Sequence, residues 1–234
     1  MFSLNLIVDI LSLRNELSRF LKLFLKYFIF SIYLIVSIGL NSAQAGAYED
    51  FFNAIEFDQP QVIQNLLKRG FDPNTPNEKG VAGLLLAIQS ESPKAAMLLA
   101  QHPKTNLNAQ NQLGETPLML AAINNQLELA KVLIARGADI NKAGWTPLHY
   151  AATRGHRDMM RLLLDNDAYI DSESANGTTP LMMAAYSAPP LAVKLLLEEG
   201  ADPTLVNNGN ASALDLALRV DHQQSAFYIK AFIE

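Results

Sequence analysis

Four eight-residue segments of this 234-residue chain repeat one pattern at a nearly constant interval. Glu115-Thr116-Pro117-Leu118-Met119-Leu120-Ala121-Ala122, Trp145-Thr146-Pro147-Leu148-His149-Tyr150-Ala151-Ala152 and Thr178-Thr179-Pro180-Leu181-Met182-Met183-Ala184-Ala185 align directly. Ala211-Ser212-Ala213-Leu214-Asp215-Leu216-Ala217-Leu218 is a degenerate fourth. Leu118, Leu148, Leu181 and Leu214 lie 30, 33 and 33 residues apart. The series runs back through Leu84, 34 before Leu118, and Ala54, 33 before Ala87. A period near 33 implies a stack of like units, none of which can bury its apolar face alone.

The repeated residues make local sense as helix pairs. A Thr hydroxyl such as that of Thr146 caps a helix, and the following Pro147 sits where no amide donor is needed. The Ala-Ala pair lets a neighbouring helix approach closely. Gly155 can end the first helix in a left-handed conformation. A second helix is expected from Arg157 to about Asn166, with a stripe of Met160, Leu162, Leu163 and Leu164 facing inward. Gly70, Gly137 and Gly200 end equivalent helices. Pro60, Pro93 and Pro190 share one register position, with Leu127 and Arg157 in the intervening repeats, and proline there marks a helix start. Asp72, Asp139 and Asp202 follow the terminating glycines and read as turn residues. The connection from Asp139 to Trp145 is three residues short, so one hairpin tip is truncated.

The pattern resembles the ankyrin repeat family, most closely at Thr146-Pro147-Leu148-His149-Tyr150-Ala151-Ala152, and covers about residues 47–234. The resemblance extends to exported bacterial members. It implies an all-α solenoid of about six helix-turn-helix repeats, near residues 47–80, 81–112, 113–142, 143–175, 176–208 and 209–234. The end repeats should be more polar outside, with Asp221 capping a last helix that ends at Glu234. The family's concave surface uses the residue before Thr-Pro and the two after Ala-Ala. Carried across, these are Glu115, Ile123 and Asn124, then Trp145, Thr153 and Arg154, then Thr178, Tyr186 and Ser187. The resemblance implies that they touch a partner protein, since Trp, Arg and Tyr dominate binding hot spots. The competing reading packs Trp145 on a neighbouring turn and Tyr186 over a helix end. The resemblance also gives His149 a structural role that tightens its repeat.

The first 45 residues differ in character. Phe28 to Leu40 is an uncharged apolar run, preceded by Lys22 and Lys26 and followed by Ala43-Gln44-Ala45. Residues 1–45 are therefore expected to be a signal peptide cleaved between Ala45 and Gly46, leaving a mature domain of residues 46–234. The alternative is an uncleaved inner-membrane anchor, because Tyr27 to Tyr48 carries no charge. The chain has no cysteine, so disulfides and thiolate chemistry are excluded. In an exported chain that composition suits the bacterial periplasm. With four basic and two acidic leader residues set aside, the body has 14 basic against 21 acidic residues, a net charge of −7. An acidic body argues against nucleic-acid binding.

The sequence contains no Gly-x-Ser-x-Gly, phosphate loop or His-Glu-x-x-His. His149 and His156 are separated by Gly155 and make a poor metal pair. Asn176-Gly177-Thr178 and Asn210-Ala211-Ser212 match the glycosylation pattern but read as turn residues. The expected function is a non-enzymatic, monomeric protein-binding module without cofactors. Its rivals within that class are an immunity protein against an exported toxin and a periplasmic accessory or stress factor.

Overall fold

The computed structural model describes residues 45–233. The chain divides into two units, Met1–Asp50 and Phe51–Glu234. Residues 45–50, the described part of the first, are helical, with Ala45 and Gly46 exposed. The rest of the leader lies outside the described residues, as does Glu234.

The second unit opens with α1, residues 51–56. It continues as α2 (Pro60–Lys68), α3 (Gly83–Gln89), α4 (Pro93–Gln101), α5 (Pro117–Ile123), α6 (Leu127–Ala135), α7 (Pro147–Arg154), α8 (Arg157–Leu164), α9 (Pro180–Ser187), α10 (Pro190–Glu198), α11 (Ala213–Arg219) and α12 (Gln223–Ile233). These are six helix pairs. α7 packs against α5 and α9, α9 against α11, and the second helices pack in a parallel row behind them. The only bridges among the described residues are isolated antiparallel ones, Pro76–Ala82 and Val206–Ser212.

The Thr-Pro starts form as the sequence implies. Thr116, Thr146 and Thr179 each accept a hydrogen bond at the side chain from the amide three residues on, and Ser212 does the same in the last repeat. Each leaves one fewer amide orphaned at the helix start. Leu118, Leu148 and Leu181 are fully buried, as are the alanine pairs 121–122, 151–152 and 184–185. Leu214 is only half-buried, because no described repeat covers α11 on its far side.

The second helices α2, α6, α8 and α10 end in a Schellman turn, whereas α4 ends at His102 in extended backbone. In repeat three the Gly137 amide donates to Ile134 and the Ala138 amide to Leu133, with Gly137 at φ 85°. In repeat four Asp167 takes that position at φ 65°, with the same two bonds from Asp167 and Ala168.

Four details differ from the sequence expectation. α8 ends at Leu164 and buries Met159, Met160 and Leu163, while Leu162 and Leu164 are half-exposed; both methionines face inward because α8 is covered on two sides. Asp221 does not cap α12. Its backbone is left-handed at φ 57° and its amide closes the end of α11 on Leu218. The last repeat is not polar outside: Phe227, Phe232 and Ile233 of α12 are exposed. At the first repeat Phe57 is exposed as well.

Four of the five hairpins between pairs are pinned by a polar side chain at the same place. Asn77, Asn111 and Asn207 accept two amides at the side-chain oxygen from residues two and four ahead, and the Ser174 hydroxyl accepts from Thr178. The corresponding backbone closures are absent from the shortened tip at residues 139–145, where Lys142 instead donates to the Gly114 carbonyl at 2.9 Å.

Candidate interaction face

The expected partner-facing residues fall at opposite ends of the inner helices. Glu115, Trp145 and Thr178 precede the capping threonines, on the hairpin side. Asn124, Arg154, Tyr186 and Ser187 lie at the other ends of α5, α7 and α9, with Ile123 and Thr153 just before them. At 1.5 Å per residue the two rows are about 12 Å apart.

In the hairpin-side row, Glu115 and Trp145 meet through Tyr150. The Trp145 ring lies 5.7 Å from that of Tyr150 at 68° and 5.3 Å from that of His149. Tyr150 donates its hydroxyl to Glu115 Oε1 at 3.0 Å, and Asn111 donates to Glu115 Oε2 at 2.6 Å. Burial, then the adjacent Glu115 carboxylate, pushes the Tyr150 pKa well above its ordinary value. Trp145 therefore packs on its own repeat and still leaves 39% of its surface exposed.

Thr178 departs from the expectation. It is buried, and its carbonyl faces His149 Nε2 at 2.9 Å. Because that carbonyl can only accept, Nε2 carries the imidazole proton. Nδ1 is left to accept from the Thr146 amide at 3.2 Å and hydroxyl at 2.8 Å. Burial holds the His149 pKa below its usual value against the opposing pull of the Thr178 and Ser172 carbonyls. His149 thus stitches repeat four to five. His156 and His222 make comparable links, to the carbonyls of Ile123 at 3.0 Å and Ala185 at 3.1 Å.

In the opposite row Tyr186 is 48% exposed, and Arg154, Asn124 and Ser187 are exposed too. Ile123 and Thr153 are half-buried, the Thr153 hydroxyl donating to the His149 carbonyl. The Ser187 hydroxyl faces the carbonyls of Met183 and Thr153. Tyr150, which joins Glu115 to Trp145, was not among the expected residues. Its signal was an aromatic between His149 and the alanine pair. Leu113, 82% exposed on the tip before α5, was missed as well. Among the described residues, no three acidic or histidine side chains converge to hold a metal. No described helix is long and apolar enough to cross a membrane.

The family model for ankyrin repeats matches residues 51–143 and 141–207, well over half of the chain. The chain belongs to the ankyrin repeat family. Ankyrin repeats are, in general, non-enzymatic modules that bind other proteins. Curated relatives include the nuclear factor NF-kappa-B p105 subunit of Gallus gallus, 34% identical over 66% of this chain and 16% of that protein. The ankyrin repeat and KH domain-containing protein mask-1 of Caenorhabditis elegans is 32% identical over 64% of this chain and 6% of its own length. The chain thus spans a sixth or less of these ankyrin proteins. An ankyrin repeat domain from Acinetobacter baumannii superposes with a TM-score of 0.69 at 24% identity, covering 78% of this chain and 96% of that one. A chain in the complex of a predatory endopeptidase from Bdellovibrio bacteriovorus with an immunity protein gives 0.68 at 25% identity, covering 78% of this chain and 97% of that one.

Proposed function

We propose that this ankyrin chain acts after export as a monomeric, non-enzymatic module that holds another protein against its concave face. The observation that carries this reading is the exposure of Trp145, just before α7, and of Tyr186 near the end of α9, on inner helices whose leucines and alanines are buried. Neither ring is needed to fill the helix-pair core. Trp145 meets the Tyr150 ring that donates to Glu115, and Tyr186 shares its row with the exposed Arg154; aromatic and Arg side chains are enriched in interfaces.

The leader places the module in the bacterial periplasm after cleavage between Ala45 and Gly46, or holds it at the inner membrane if it is retained. The intact mass of the protein from its host should begin at Gly46. A full-length chain in the soluble cytoplasmic fraction overturns export.

For the partner, pull-down of the mature chain from periplasmic extract is followed by affinity measurement. Trp145→Ala, Arg154→Ala and Tyr186→Ala should each weaken binding by more than about 1 kcal/mol, with the unfolding midpoint nearly unchanged. Unchanged affinity together with a lowered midpoint would make these residues structural and place the binding face elsewhere.

A second reading, neutralisation of an exported toxin by an immunity protein, is supported by the likeness to a chain from the endopeptidase–immunity complex. A toxin encoded beside this gene and inhibited at a one-to-one ratio is its expected signature. A periplasmic accessory or stress role predicts an oxidative-stress phenotype on deletion instead.

A further inference from the structure

We infer that the concave floor beneath the shortened hairpin tip is a receptor for one basic side chain, a Lys or Arg carried on an extended segment of the partner protein. This rests on the protein-binding reading above and names the chemistry the partner presents there. The rings of Trp145 and Tyr150 meet at 68° with centroids 5.7 Å apart, forming two walls of a corner. Ring faces attract ammonium and guanidinium groups, Trp most strongly. The Glu115 carboxylate adjoins the Tyr150 wall through the hydroxyl bond at 3.0 Å.

Glu115 has only neutral partners, Tyr150, Asn111 and its own turn. No ion pair among the described residues includes it. Lys142, the basic residue on the short tip, donates to the Gly114 carbonyl instead. A carboxylate has about four acceptor positions, so capacity remains, and neutral donors do not cancel its charge. An apolar segment laid over this corner would cover an unpaired carboxylate, which is costly; a Lys or Arg would supply the counter-charge. Access follows from the three residues missing between Asp139 and Trp145, which shorten the tip beside the corner. The net charge of −7 on the body draws basic segments toward it.

Trp145 is the only tryptophan in the chain, so its emission reports on this corner in the intact protein. The probes are acetylated, amidated Gly-Ser-X-Ser-Gly peptides with Arg, Lys, Gln or Glu as X. The Arg and Lys peptides should give saturable emission changes with Kd of about 1 mM or tighter at low salt. Gln and Glu peptides should give none. Glu115→Gln, which keeps an acceptor for Asn111, should weaken the Arg peptide about tenfold. Glu128→Gln, an equal charge change at an exposed site paired with Lys131, should change it less than about twofold. Thermal melts establish that each variant is folded. The comparison of the Arg and Gln peptides on the unaltered protein covers the case in which Glu115→Gln does not fold, because a lost preference for the charged side chain is enough to overturn the assignment.

The assignment is overturned if the Arg peptide gives no saturable change, if the Gln peptide matches it, or if Glu128→Gln weakens binding as much as Glu115→Gln. A true partner that loses affinity with Trp145→Ala while the peptides show no charge preference would leave the protein-binding reading standing and remove the basic side chain from it.

Discussion

Leu148→Ala should lower the unfolding free energy by about 2–5 kcal/mol, from lost burial plus the cavity left behind. The side chain is fully buried, and its helix packs against α5 and α9 as well as its own partner α8. Truncation there loosens three helix contacts at once. In a stack held by nearest-neighbour interfaces, weakening a central repeat also lets the two halves unfold separately. Urea unfolding of the mature protein should therefore show a lower midpoint, and a broadened or split transition. Leu214→Ala provides the internal comparison, because Leu214 holds the same register position but is half-buried. It should cost less than half as much and leave the transition single. A change below about 1 kcal/mol at Leu148 would contradict its burial between neighbouring repeats.

The period, the capping threonines and the buried leucines were legible because each repeat must satisfy the same local rules. What escaped reading was set by contacts between repeats. Repeat two lacks Thr-Pro and starts α3 at Gly83. The reason is a neighbour: a Cβ at Gly83 would lie 2.8 Å from the ring of Phe51 on α1. Nothing in the sequence around Gly83 announces that ring. Met159 was missed in the α8 stripe because coverage by two neighbours widens the buried face beyond one helical stripe. The interaction face was legible as register positions only. That Thr178 is buried and Tyr150 joins Glu115 to Trp145 depends on how one repeat leans on the next, over sequence separations of 29 and 35 residues.

Gly155→Ala should be the most damaging glycine-to-alanine change among the described residues, at about 2–4 kcal/mol. Gly155 ends α7 at φ 70° and ψ 30°, where a side chain is strained. Strain alone is not decisive, because Asp58, Glu91, Asn125 and Asp221 occupy the equivalent position in other repeats at φ 47–57°. The difference is the following repeat. It replaces the left-handed residue with Ala188 in extended backbone, followed by Pro189 and the Pro190 that opens α10. A Cβ at 155 would sit 2.6 Å from Pro189 Cδ and 3.4 Å from Ala188 Cβ. Pro189 cannot rotate its ring away, since its φ is locked, and Pro190 ties any backbone shift to α10. Gly155→Asn separates the two causes. Asparagine tolerates left-handed backbone but still carries a Cβ, so it should remain destabilising where Asn125 is not. Pro189→Ala should then rescue Gly155→Ala in part, giving a coupling of about 1 kcal/mol or more in a double-mutant cycle of urea midpoints. Strictly additive effects would mean that the left-handed strain, and not the proline ring, selects glycine at this turn.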